Sequence, residues 1–94
     1  MISEKEQAEQ LAASALSWIA QDPDRLGRFL AICGVGPAEI RERVGDPAFM
    51  GGILDFLLAH EPDLIEFAEW AGVEPSFPMQ IRPALPGGED YHYS

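Results

Sequence analysis

Apolar residues recur along this chain at three- and four-residue spacing, the period of a helix that buries one face. Ala8, Leu11, Ala15 and Ile19 form one stripe, and Leu26, Phe29, Leu30 and Cys33 a second. Leu64, Ile65, Ala68 and Ala71 form a third, with Phe67 and Trp70 beside it. No strand-like alternation of any length competes. The polar punctuation agrees with helices. Ser3 with Glu6 reads as a capping box, and Asp22-Pro23, Asp46-Pro47 and Glu61-Pro62 each read as an N-cap followed by proline at the first helical position. Gly34, Gly45 and Gly72 stand where a left-handed residue would close the preceding helix. The spacing predicts helices over 4–20, 23–33, 37–44, 47–59 and 62–71, with a short turn after Pro75. Pro78, Pro83 and Pro86 forbid a long helix beyond it. The expectation is an all-α fold, a compact bundle of five to six short helices forming a single domain over 1–85, with a flexible tail over 86–94.

Compared with itself at a shift of 38 residues, the chain shows an internal repeat. Leu11 to Ala20 lies over Phe49 to Leu58 with large and small positions matched, and after one extra residue at the turn Asp22-Pro23-Asp24 meets Glu61-Pro62-Asp63. A one-residue deletion after these restores the shift of 38, and Leu26, Phe29, Gly34-Val35 and Pro37 fall on Leu64, Phe67, Gly72-Val73 and Pro75. Duplication would give two helix-turn-helix units about a pseudo-twofold axis; the other reading is that turns and caps share a small vocabulary. In the duplicated arrangement Ala12, Ala13 and Ser14 would let the first long helix approach Gly51 and Gly52 closely. A local break at Gly51 is the alternative use of those glycines.

The run from Trp18 to Ala31, with its Asp22-Pro-x-Arg-Leu-x-x-Phe-Leu30 signature, is followed by Gly34-Val-Gly-Pro37, Asp46-Pro-Ala-Phe49 and Leu54-Asp-Phe-Leu-Leu58. Together these resemble small helical alphaproteobacterial proteins known as a domain of unknown function, over residues 8–75. The resemblance implies an all-helical bacterial domain and brings no activity, cofactor or site residue. The proline-rich stretch from Ser76 departs from the helical ending expected of that family.

Charge changes the picture. The net charge of −10 is unevenly spread. Residues 1–22 carry four acids and Lys5, residues 23–54 balance four acids with Arg25, Arg28, Arg41 and Arg43, and residues 55–94 set eight acids against Arg82 alone. Such a surface repels phosphate backbones unless the four arginines converge, so nucleic acid is disfavoured as a partner. The most apolar run, Phe49 to Ala59, is interrupted by Asp55 and too short to span a bilayer. The acidic start lacks the basic and apolar regions of a signal peptide, and one cysteine suits a reducing compartment; both lead to the expectation of a cytoplasmic protein without a membrane partner.

Catalytic chemistry is thinly supplied: there is no Thr or Asn, one Lys, and only His60 and His92. Cys33 closes a predicted helix, where the dipole opposes a thiolate, and reads as a small buried hydrophobe. Gly34-Val-Gly-Pro37 lacks the lysine and the strand of a phosphate loop. His60-Glu61-x-Asp63 straddles a helix end and reads as a solvated cap rather than a metal site, and His92 with Glu89 and Asp90 lies in the predicted tail. Glu61, Asp63, Glu66 and Glu69 read as one solvated helix face. No catalytic, metal or cofactor residue is expected. What remains for binding is Arg25 and Arg28, three apart and expected to project together, with Arg41, Arg43, Trp18 and Trp70. Both tryptophans are expected in the core. The leading functional expectation is a non-enzymatic protein–protein interaction or regulatory module that recognises another protein or a second copy of itself. The alternatives are an acidic nucleic-acid mimic that occupies a basic protein, and a small-molecule sensor with a pocket between the two halves.

Overall fold

The computed structural model describes residues 2–87. Six helices follow one another: α1 (Glu4–Ala20), α2 (Pro23–Cys33), α3 (Pro37–Arg43), α4 (Pro47–Leu58), α5 (Glu61–Ala71) and α6 (Phe77–Ile81), closed by a 3₁₀ turn, Arg82–Ala84. No strand occurs among the described residues. Most starts are set by local chemistry. The Ser3 hydroxyl accepts from the Glu6 N–H at 3.1 Å while the Glu6 carboxylate accepts from the Ser3 N–H at 3.0 Å. Asp22 and Asp46 accept from the Asp24 and Ala48 N–H groups at 2.9 and 3.1 Å, ahead of Pro23 and Pro47.

Two boundaries correct the sequence reading. His60, not Glu61, is the N-cap of α5, so Glu61 is its first helical residue. Gly45 is not left-handed: α3 closes at Val44 in right-handed backbone, φ −58°. Gly34 and Gly72 do take the left-handed turn, with φ 71° and 74°.

The core is built on α4. Phe49, Met50, Ile53, Leu54, Phe56 and Leu57 are all buried, and α4 packs principally on α1, whose inward face is Ala8, Leu11, Ala12, Ala15, Trp18 and Ile19. Aromatic contacts tie the other helices to this pair. Phe29 of α2 meets Phe49 and Phe56 edge-on at 5.9 and 5.4 Å, and Phe67 of α5 meets Trp18 edge-on at 5.8 Å.

The α4 glycines do different work from that expected. The helix runs unbroken through both. Gly51 faces the C-terminal turn: a Cβ there would lie 2.8 Å from the Pro86 carbonyl oxygen and 2.9 Å from the Arg82 guanidinium carbon. On α1, Ala12 is buried whereas Ala13 and Ser14 are exposed, so the anticipated seam of small residues between the two long helices is not formed. Arg82, only 6% exposed, donates from Nε and Nη2 to the two Asp55 oxygens at 2.6 and 2.9 Å, and from Nη1 to the Leu85 carbonyl at 2.9 Å. This fork fastens the last turn onto α4. Residues 88–94, the larger part of the predicted tail and the position of His92, Glu89 and Asp90, lie outside the described residues.

Candidate interaction surfaces

Arg28 and Ile32, four apart on one face of α2, line one wall of a groove with Cys33 beside them; Gly52, Asp55, Phe56 and Ala59 of α4 and its cap line the other. Nothing lies within 4 Å of where a Gly52 Cβ would stand, so the missing side chain leaves this wall open. The groove has a volume of about 570 Å³ and ends at His60. Ile32 is 71% exposed on its edge, while Phe56 is buried in its base. Cys33 is half-buried rather than fully buried, and burial pushes its thiol up from the ordinary value of 9.0. A raised thiol at a helix C-terminus is a poor nucleophile at neutral pH.

Two ion pairs set the groove's rim. Asp63, expected on a solvated face, is buried at 6% exposure. Its Oδ2 accepts from Arg28 Nη2 at 3.1 Å and lies 2.9 Å from His60 Nδ1. A carboxylate so placed needs such partners to offset its lost hydration. Arg28 also lies over the Phe56 ring, 5.4 Å from its centroid. On the other side Asp55 is held by Arg82. Asp63 thus stands between the Arg28 guanidinium and the His60 ring. Among the described residues no three His, Cys, Asp or Glu side chains are grouped to hold a metal.

The residues singled out in the sequence do not converge. Arg25 and Arg28 part company: Arg25 lies over the Trp18 ring, 3.7 Å from its centroid, and donates from Nη2 to the Trp18 carbonyl at 2.7 Å, with Asp22 3.6 Å from Nη1. Arg28 turns to Asp63. Arg41 and Arg43 are exposed in the last turn of α3, where they complement the helix dipole. Trp18 is buried at 4% exposure, as expected, but Trp70 is 48% exposed, against expectation, with its ring tilted on Phe67 at 6.1 Å. The sequence reading missed Ile32, Asp55, Asp63 and Arg82. Arg82 carried a signal, as the one cation of the acidic half set beside Ile81 and Leu85. Ile32 carried none.

The chain matches, over residues 5–88, the family described as "Protein of unknown function (DUF3572)". It belongs to that family. Membership in DUF3572 takes in α1 to the closing turn, including the proline-rich stretch from Ser76 that stood outside the resemblance seen in the sequence. No match to a curated protein or to a solved structure was found. For this DUF3572 chain the residues themselves therefore carry the functional argument.

Proposed function

We propose that this chain is a non-enzymatic protein–protein interaction module whose recognition site is the groove between α2 and α4. The observation that carries the reading is Ile32, a large aliphatic side chain 71% exposed on the edge of a concave apolar surface. Isolated exposed aliphatics are ordinary, but one at the lip of a groove with an aromatic base offers an anchor for a partner's apolar side chains. The ion pairs Arg28–Asp63 and Asp55–Arg82 hold the walls in place before a partner arrives, which lowers the ordering cost of binding. A small-molecule ligand is the second reading. It is favoured by the groove's volume, within the usual range of about 300–1,000 Å³, and by the polar groups of Arg28, Asp55 and His60 around it.

Duplication supplies the frame in this proposal. Trp18 and Phe56 coincide under the 38-residue shift, as do Phe29 and Phe67, and each ring of the first pair meets edge-on the phenylalanine of the other half. The groove would then be a seam between halves. Superposition of the two halves by a rotation far from 180° would contradict that part.

The test is affinity isolation from the native cell with wild type, Ile32→Glu and, as control, Glu42→Ala on the exposed face of α3. The expected result is a stoichiometric partner retained by wild type and control and lost from a fully folded Ile32→Glu. Equal retention by all three would overturn the groove as the site.

A further inference from the structure

Helix α5 buries Phe67 and Ala68 and turns Glu61, Ile65, Glu66, Glu69 and Trp70 to solvent. At about 100° per residue, Ile65 and Trp70 stand at the two edges of a strip that carries Glu66 and Glu69. None of the three exposed glutamates makes an ion pair among the described residues, and no Lys or Arg occurs from Ala59 to Ile81. Trp70 is held against Phe67, so presenting its exposed ring costs little side-chain entropy on binding. The molecule contains a filled example of the same chemistry: at Trp18 a guanidinium lies 3.7 Å over the indole with a carboxylate 3.6 Å away. On α5 the indole of Trp70 has Glu66 one turn back on the same side, and no Lys or Arg among the described residues pairs with either.

We infer that the outer face of α5 binds an arginine-bearing segment of another protein, with guanidinium groups over Trp70 and against Glu66 and Glu69. Arginine suits the site better than lysine because its planar cation stacks on an indole and pairs with a carboxylate at the same time. A second copy of this chain is disfavoured as the occupant by the mutual repulsion of two bodies of charge −10. The inference rests on the interaction-module reading but uses a different surface from the groove.

The test is an amide NMR titration of the full chain with a synthetic helical peptide of alanine and regularly spaced arginine. The same peptide with lysine for arginine serves as comparison. Shifts concentrated on residues 65–70, binding at least about threefold tighter for the arginine peptide, and a loss of about tenfold in Trp70→Ala are expected. Glu66→Gln should weaken binding severalfold and reduce its salt dependence. Equal binding of the two peptides, unchanged affinity in Trp70→Ala, or shifts centred on Ile32 and Phe56 would each overturn the inference. None of these would touch the Ile32→Glu result, so the two claims fail separately.

Discussion

At the scale of single residues, the sharpest contrast lies between neighbouring glycines of one helix. Gly51 is pressed against the Pro86 carbonyl and the Arg82 fork, whereas Gly52 faces the open groove. Alanine raises helix propensity by about 1 kcal/mol at either position. At Gly51 the new methyl would displace backbone and a buried guanidinium, an overpacking cost of about 1–3 kcal/mol. Gly51→Ala is therefore expected to lower stability in urea denaturation and Gly52→Ala to raise it, by about 0.5–1 kcal/mol. Similar values for the two would mean that the closing turn does not rest on α4 as described. Arg25 adds a second residue-scale feature: its Nε is buried with no hydrogen-bond partner among the described residues, a cost offset by the indole beneath it.

At the scale of elements, α5 is joined to the rest by Phe67 and, one turn earlier on the same face, by Asp63. Asp63 stands in the first turn of α5, where the dipole favours an anion, and it accepts a charge-assisted hydrogen bond from Arg28 with His60 Nδ1 2.9 Å away. Asp63→Ala is expected to cost about 2 kcal/mol, and Arg28→Ala less, because the Arg28 side chain is 46% exposed and the carboxylate keeps His60. Glu66→Ala, at an exposed position, should change stability by less than about 0.5 kcal/mol; a cost at Asp63 no larger than that would show the contact to be superficial. The helix starts were legible in the sequence because Ser3, Asp22 and Asp46 act on N–H groups two or three residues away. The sides of α5 were not. Its apolar residues Leu64, Ile65, Phe67, Ala68, Trp70 and Ala71 wrap round most of the helix, so the sequence does not decide which of them meet water. The neighbours decide it: α1 and α4 cover the arc centred on Leu64 and Ala71, and Ile65 and Trp70 fall outside on either flank. The groove was illegible for a similar reason, since it depends on how α2 lies over α4 and on the side chain that Gly52 lacks.

At the scale of the molecule, charge is the dominant feature. Ion pairs within the described residues engage Asp55 and Asp63, but Glu61, Glu66, Glu69 and Glu74 remain exposed and uncompensated around the C-terminal half. Exposed like charges are screened by salt, whereas the Arg82–Asp55 fork, with Arg82 buried, is screened much less. Raising ionic strength from about 0.01 to 0.5 M should therefore raise the thermal midpoint by a few degrees. A fall over the same range, followed by calorimetry, would mean that surface ion pairs outweigh the repulsion. The central claim remains that the groove between α2 and α4 is the recognition surface, and in-cell photo-crosslinking tests it most directly, with a photoreactive residue placed at position 32 and, for comparison, at position 42. The account predicts a discrete adduct from position 32 alone, suppressed by excess wild-type chain and unaffected by excess Ile32→Glu. No adduct from position 32, or the same pattern from both positions, would contradict it.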